Sequence, residues 1–223
     1  PTELLELIDS CLKPKQKEKQ ENGEVFTPMS LVFLMLDHLD KRYIKEHGRS
    51  IFTELTFKWF DPASGMGNFP VAVYLKLMEG LKPQIPNDED RKKHIIENML
   101  YMSELNKKNV FICHKIFNIN NQYNLNLYEG DTLKLCTTQE WGIDKFDVIL
   151  GNPPFNKDGI RSHTGKQLGK KNETTWPNFI EKSFGEWMKP DGFLAFINPL
   201  SWLKKSHSLH KEMLEKHIVW LKL

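Results

Sequence analysis

A mainly parallel, doubly wound α/β sheet is the fold class that these 223 residues predict. Short apolar runs alternate with helical stretches along the chain, and such alternation closes through right-handed crossovers into a parallel sheet. One of the runs, Phe146-Asp147-Val148-Ile149-Leu150, is almost continuously apolar, as befits a strand covered on both faces. A third observation is the segment Asp61 to Phe69, which passes from an apolar run into a helical stretch through Gly65 and Gly67. The length allows one large or two small domains and a packed core.

The elements follow in order. Residues 13–24 are polar, with charges of both signs, the composition of a solvated linker or helix end; residues 1–24 are expected to form a charged N-terminal segment ahead of a domain at 25–223. Thr27 and Pro28 read as an N-cap and first-turn proline for a helix over 28–46. Strands are expected at 57–61, 100–104, 125–131, 146–150 and 192–197, with helices at 69–81, 107–117, 176–188 and 205–217. Ile218 to Leu223 reads as one further strand. Two stretches are polar loops, 82–94 and 156–174, and the second, basic and glycine-containing, has the composition of a mobile loop. No internal repeat is visible.

Composition excludes several classes. A mean hydropathy of −0.50, with no apolar run near the ~20 residues that a membrane helix needs, argues against a spanning segment. The chain reads as soluble and cytoplasmic, free of membrane partners. Cys11, Cys113 and Cys136 are far apart with no CxxC pair, so neither a disulfide scaffold nor a zinc ribbon is available. Cys113 and Cys136 read as buried or half-buried residues. The eight histidines show no paired metal spacing; no metal is expected, and His207, His210 and His217 are placed on an exposed helix face. The N-terminus, Pro1-Thr2-Glu3-Leu4-Leu5, has neither an initiator Met nor a signal-peptide pattern, which suggests a piece of a longer chain. A net charge of +2 is low for a nucleic-acid binder, so any DNA-contacting charge must be locally concentrated.

Chemistry concentrates at the predicted strand ends. Glycines at 65 and 67 let the backbone approach a ligand, and the helix that follows offers unpaired N–H groups to an anion; such a turn can equally be only a tight connection. Glu104 ends the second strand, where a carboxylate can accept both hydroxyls of a ribose. It follows Asp61 by 43 residues, more than the ~20 of a dinucleotide fold, and the polar 82–94 stretch accounts for most of the excess. Asp131 ends the third strand and could accept from an adenine amino group, or could simply be solvated. Asn152-Pro153-Pro154-Phe155 ends the fourth. Its proline pair forces an extended exit and is expected to leave backbone carbonyls without partners inside the chain. It lies 91 residues after Asp61, on the strand expected beside the first across the switch point of the sheet.

The order Gly23-Glu24-Val25-Phe26-Thr27-Pro28, then Asp61-Pro62-Ala63-Ser64-Gly65-Met66-Gly67-Asn68-Phe69, then Glu104, Asp131 and Asn152-Pro153-Pro154-Phe155 resembles the S-adenosylmethionine-dependent, amino-methylating DNA methyltransferases of the adenine-modifying group. The similarity continues through Trp176 to Lys182 and Met188 to Pro199. It implies the Rossmann-like sheet of those enzymes and S-adenosylmethionine as cofactor. Phe26, Thr27 and Pro28 would help close over its methionine end, Asp61, Ala63, Ser64, Gly65 and Gly67 would form the cofactor loop, Glu104 would hold the ribose and Asp131 the adenine. Asn152, Pro153, Pro154 and Phe155 would hold the target base. Phe155 stands where tyrosine is frequent, and stacking needs only a ring face.

The implied reaction is direct in-line transfer to N6 of a flipped adenine in DNA, within a restriction-modification setting. If the Asn152 side-chain oxygen and the Pro153 carbonyl both accept from the amine, its nitrogen can pyramidalise toward the sulfonium methyl, and orientation and electrostatics supply the rate. A base inside a duplex is unreachable, so it must be flipped, with Phe155 stacked on it. Lys157, Arg161, Lys166, Lys170 and Lys171 could pair with flanking phosphates or be a solvated loop. The motif order resembles the branch whose recognition domain follows the catalytic domain, so a C-terminal recognition domain or a separate specificity subunit is the expected partner besides DNA. The family sheet usually ends in a hairpin, of which 218–223 could supply only the first strand, so the catalytic domain is expected to be incomplete at its C-terminus. The rival readings are a glutamine-modifying protein or RNA methyltransferase, and a catalytically silent binding subunit of the same fold.

Overall fold

The computed structural model describes residues 27–156 and 174–222. Five parallel strands lie in the order β3-β2-β1-β4-β5. They are β1 (Trp59–Asp61), β2 (Leu100–Glu104), β3 (Asn126–Glu129), β4 (Phe146–Gly151) and β5 (Met188–Phe196). The chain steps outward from β1 to β2 and β3, then returns to the other side of β1 with β4. The doubly wound expectation therefore holds, and the switch point lies between β1 and β4.

Seven α-helices are described: α1 (Met29–His47), α2 (Asn68–Gly80), α3 (Asp88–Asn98), α4 (Lys107–Phe117), α5 (Thr137–Trp141), α6 (Trp176–Lys182) and α7 (His210–Glu215). Helix α1 buries Met29, Val32, Leu36, Leu39 and Tyr43, a spacing of three and four that makes one apolar stripe. It stops where Gly48 takes φ 72° and donates its N–H to the Ile44 carbonyl, a left-handed cap. Helices α1 to α4 cover one face of the sheet, where Trp59, Leu100, Met102, Val148 and Leu150 join their core. Helices α5 and α6 cover the other, around Phe60, Tyr101, Phe146 and Ile149. Phe60 is the hinge of that second core, with Phe146 stacked at 4.6 Å and Trp187 edge-on at 5.4 Å.

Phe146 and Val148 lie two apart, yet they face opposite cores. The N–H groups of Asp147 and Val148 both donate to the Lys58 carbonyl, at 3.0 and 3.1 Å. Two residues thus oppose one, a bulge that reverses the alternation. The Asp147 carboxylate braces it by accepting from the Lys58 N–H at 2.8 Å and from Lys189 Nζ at 2.7 Å.

Several expectations need correction. The stretch 82–94 is not all loop, since α3 starts inside it. Asn87 accepts from the N–H groups of Glu89 and Asp90, and Asp88, Glu89 and Asp90 fill the first turn, where carboxylates suit the helix dipole. The helix is so exposed that only Arg91, Ile95 and Ile96 are buried, and the sparse apolar signal hid it. The helix expected at 176–188 keeps α geometry only to Lys182, and residues 183–187 form a π turn in which the Ser183 hydroxyl donates to the Phe179 carbonyl at 2.7 Å. Strand β5 starts at Met188 and not 192, but regular pairing with β4 resumes only at Phe193.

The helix expected at 205–217 shrinks to α7, preceded by a 3-10 turn at Leu200–Leu203. The histidines are not on one exposed face of it. His207 stacks on Trp176 at 5.2 Å, His210 Nδ1 lies 3.0 Å from the Trp202 carbonyl, and His217 follows the helix end. Residues 217–222 form no strand. Trp220 stacks on His38 of α1 at 4.6 Å instead, and a strand pattern without a pairing partner stays extended coil. Cys113 is buried as expected, but Cys136 is exposed. No described helix is long and apolar enough to cross a membrane.

Candidate functional site

Three loops meet at the carboxyl edge of the sheet, those after β1, β2 and β4. The first runs from Asp61 to α2. Gly65 has φ 54° and Gly67, which precedes the first residue of α2, has φ 94°, conformations that other residues rarely adopt. An added Cβ on Gly65 would meet nothing within 4 Å, whereas one on Gly67 would lie 3.4 Å from Cys113 Sγ. Helix α2 thus presents the Asn68 and Phe69 amides as first-turn donors. Pro70 has none to offer.

The loop is held from beneath. Ser64 donates its N–H to the Ser103 carbonyl at 3.0 Å and points its hydroxyl the same way, at 3.4 Å, so that side chain faces the protein. Gly65 donates its N–H to Glu104 Oε2 at 2.8 Å, and Asn106 donates its N–H to Glu104 Oε1 at 2.8 Å. The Glu104 carboxylate is buried, and these two bonds fix its orientation. Asp131 lies two residues past β3. Its Oδ1 accepts from the Leu133 N–H at 3.1 Å, and its Oδ2 lies 3.5 Å from Lys134 Nζ. The Thr132 hydroxyl lies 2.6 Å from Ser103 Oγ and donates to the Pro62 carbonyl at 2.7 Å, tying the loops after β1, β2 and β3 together. No sequence signal marks Thr132 or Ser103.

Asp61 is the most perturbed group of the site. Its side chain is 2% exposed, Oδ1 accepts from the Ala63 N–H at 3.0 Å, and Oδ2 is buried with no hydrogen-bond partner among the described residues. Burial, with the Glu104 charge added, outweighs the Ala63 hydrogen bond and pushes its pKa up to about 8. Burial likewise pushes the Cys113 thiol up to about 12. Gly151, the last residue of β4, is packed against this carboxylate, for a Cβ there would sit 2.6 Å from Asp61 Oδ1. Gly151 was not singled out in the sequence, because its meaning depends on the neighbouring strand.

Asn152 follows directly. Its Nδ2 donates to the Thr27 hydroxyl at 3.2 Å, while the Thr27 carbonyl accepts from Asn68 Nδ2 at 2.8 Å. Thr27 is therefore not the side-chain cap of α1. Pro28 occupies the cap position without a side-chain hydrogen bond, and the Thr27 hydroxyl turns toward the loop after β4. The expectation of unpartnered carbonyls around the proline pair is met only in part. Gly151 accepts from the Ile197 N–H at 3.0 Å, Pro154 from the Thr175 hydroxyl at 2.7 Å and Phe155 from the Thr175 N–H at 3.1 Å. Among the described residues no hydrogen bond reaches the Pro153 carbonyl. Pro153 is buried, Pro154 exposed, and Phe155 half-buried against the cluster of Trp176, Ile180, Trp202 and Leu209.

The structure thus brings together Thr27, Asp61, Ala63, Ser64, Gly65, Gly67, Glu104, Asn152 and Pro153, with Asp131 at the margin. Phe26, Lys157, Arg161, Lys166, Lys170 and Lys171 lie outside the described residues. Asn156 and Thr174 form an isolated antiparallel bridge. Leu105, 71% exposed beside Glu104, adds an apolar surface that the sequence had not flagged. A cavity of about 310 Å³ lined by Tyr43, His47, Phe57 and Asp147 lies toward the other edge of the sheet. Its carboxylate is already paired with Lys189, and strand-end sites of open parallel sheets form at the carboxyl edge.

Residues 40–221 match the family described as Eco57I restriction-modification methylase. An uncharacterised adenine-specific methylase of Mycoplasma pneumoniae is 23% identical over 280 aligned positions, which cover 96% of this chain and 61% of that protein. Among solved structures, a modification subunit ascribed to a type I restriction enzyme of Vibrio vulnificus has a TM-score of 0.58 at 20% identity, covering 96% of this chain and 41% of that one. A chain from Listeria monocytogenes, described as a class I S-adenosylmethionine-dependent methyltransferase, has a TM-score of 0.56 at 17% identity, covering 92% and 56%. The chain therefore spans about three fifths of the length of its mycoplasma relative. With a parallel sheet, a glycine loop after β1 and a family match over most of its length, the chain belongs to the Eco57I restriction-modification methylases, on a Rossmann-like sheet.

Proposed function

We propose that this chain methylates N6 of an adenine flipped out of DNA. The observation that carries the reading is the union, across the β1–β4 switch point, of a buried carboxylate loop with an Asn-Pro-Pro-Phe segment whose asparagine is held by a hydrogen bond. The cofactor's chemical class fits the residues present. The unpartnered Asp61 Oδ2 suits an ammonium group, the Asn68 and Phe69 amides suit a carboxylate, and the fixed Glu104 carboxylate suits a ribose diol, with Asp131 and Leu105 beside an adenine ring. When bound, S-adenosylmethionine supplies an electrophilic methyl on a sulfonium.

The remaining chemistry belongs to the protein. An exocyclic amine conjugated with adenine is a weak nucleophile. The Asn152 side-chain oxygen and the Pro153 carbonyl accept its two hydrogens, which frees the lone pair for in-line attack. Phe155 offers a ring face for the base, held in place by the Trp176 cluster behind it. The basic residues between 157 and 171 contact flanking phosphates. Selection of a DNA site is assigned to a recognition domain C-terminal to this catalytic unit or to a separate specificity subunit, in agreement with a net charge of only +2. The setting is the cytoplasm of a bacterial, phage or viral host.

The test is incubation of the native protein with methyl-labelled cofactor and DNA, RNA or release-factor protein, followed by identification of the modified group. Label is expected on N6 of adenine, and Asn152→Ala is expected to abolish it while cofactor binding persists. Label on glutamine, or full activity of Asn152→Ala, refutes the reading.

A further inference from the structure

We infer that the chain just after β5 is a further contact surface for the DNA substrate, on which Lys204 and Lys205 pair with backbone phosphates beside the base held by the Asn-Pro-Pro-Phe segment. Strand β5 runs parallel to β4 and ends beside it, with Phe196 opposite Gly151. The Ile197 N–H donates to the Gly151 carbonyl at 3.0 Å, so the residues after β5 leave the sheet from the edge that Asn152 leaves. From Gly192 to Lys211 the chain carries no Asp or Glu, although over its whole length acidic residues are nearly as many as basic ones, 29 against 31. Lys204 and Lys205 are exposed, and among the described residues neither forms an ion pair. Cations left unneutralised beside a site suit a polyanion.

Lysines on a loose loop are ordinarily a solvated surface, but this pair is fixed to the residues that would seat the base. Trp202 and Leu209, 2% and 1% exposed, bracket the lysines and pack in the cluster that also holds Phe155. His207 stacks on Trp176 of that cluster at 5.2 Å. Thr175, the residue before Trp176, donates its hydroxyl to the Pro154 carbonyl and its N–H to the Phe155 carbonyl. The backbone around the lysines is itself a bonded turn. Lys204 donates its N–H to the Ser201 carbonyl at 3.1 Å, its carbonyl accepts from the His207 N–H at 2.9 Å, and His210 Nδ1 lies 3.0 Å from the Trp202 carbonyl. The lysine backbone and the Phe155 ring therefore belong to one packed unit, and a phosphate gripped by the first is set in register with a base seated on the second. Two lysines make too short a charge run to stand out in sequence, and only their placement gives them a role. That the polyanion is DNA rests on the proposed adenine-methylating function.

The test compares the native protein with a variant carrying Lys204→Ala and Lys205→Ala, and with a control carrying Lys41→Ala and Lys45→Ala, two exposed lysines in the later part of α1. Binding to a fluorescein-labelled duplex oligonucleotide is followed by anisotropy across a salt series, because each phosphate contact adds about 0.9 to the slope of log affinity against log salt. The Lys204 and Lys205 variant is expected to lose about two from that slope, and its KM for unmodified plasmid DNA in the methylation assay is expected to rise about ten-fold. Cofactor Kd and kcat at saturating DNA are expected to stay unchanged, and Lys204→Arg with Lys205→Arg to restore the slope. An unchanged slope and KM in the alanine variant, an equal loss in the control, a loss of cofactor affinity, or no restoration by arginine would each overturn the inference. A native protein whose salt slope depends on the lysine pair but which labels no adenine would overturn the functional reading and leave the DNA contact established.

Discussion

Asp61→Asn is the perturbation whose outcome the structure constrains most tightly. The native carboxyl holds its proton to about pH 8, against an ordinary value of 3.8. Between those values the unfolded chain has lost a proton that the folded chain keeps, so folding stability must fall as pH rises. The slope is a little over 1 kcal/mol per pH unit, and over the window the total is on the order of 5 kcal/mol. Above about pH 8 both states are ionised and this contribution levels off. Asparagine is nearly isosteric and carries no titrating proton, so its oxygen can still accept from the Ala63 N–H. Urea unfolding of both proteins at pH 4, 5, 6, 7 and 8 should show little difference at pH 4 and a widening advantage for the variant toward pH 8. Affinity for S-adenosylmethionine should be weaker in the variant, most clearly above about pH 8, where the native carboxyl is ionised and can pair with an ammonium group. Parallel stability profiles for the two proteins, or a native stability that rises across the window, would show that Asp61 ionises normally and that burial does not hold its proton.

Three further outcomes follow from the packing. Gly151→Ala forces a methyl to within 2.6 Å of Asp61 Oδ1 and should cost about 1–3 kcal/mol, together with cofactor affinity; calorimetry and titration of the same sample check both. Phe60→Ala removes a ring that contacts Phe146, Trp141 and Trp187 and should cost about 3–5 kcal/mol in urea unfolding. Iodoacetamide at pH 8 should alkylate Cys136, which is exposed and whose thiol is shifted down chiefly by its hydrogen bond with Thr138, well before Cys113, whose thiol burial shifts up to about 12. Peptide mapping of the two sites reads the order, and equal rates would contradict the buried placement of Cys113.

The sheet was legible because its strands are local apolar runs of the right length. Strands 100–104 and 146–150 and helix 107–117 coincide with β2, β4 and α4 to within a residue, since each shows its own periodicity and ends at a turn residue. Helix α3 escaped because its stability comes from Asn87 and an acidic first turn and not from an apolar stripe. The terminal residues 217–222 have strand-like composition, yet composition cannot supply a neighbouring strand, and Trp220 settles on α1.

The site divides along the same line. Gly65, Gly67 and the Asn152-Pro153-Pro154-Phe155 segment announce themselves in sequence because their roles follow from backbone chemistry confined to a few bonds, the left-handed φ that glycine tolerates and the extended exit that proline imposes. Glu104 and Asp131 announce themselves by falling where strands end. Thr27 read locally as a helix cap, and only the approach of Asn152 across the fold gives its hydroxyl another partner. The same is true of Gly151, Ser103, Thr132 and the reversal of faces at Asp147 and Val148, each decided by an atom on a neighbouring strand or loop. Local geometry is written in adjacent residues, whereas hydrogen bonds and close contacts between β1, β2 and β4 exist only once the sheet has set their register. That register decided which oxygen of Asp61 is left without a partner and which hydroxyl holds Asn152.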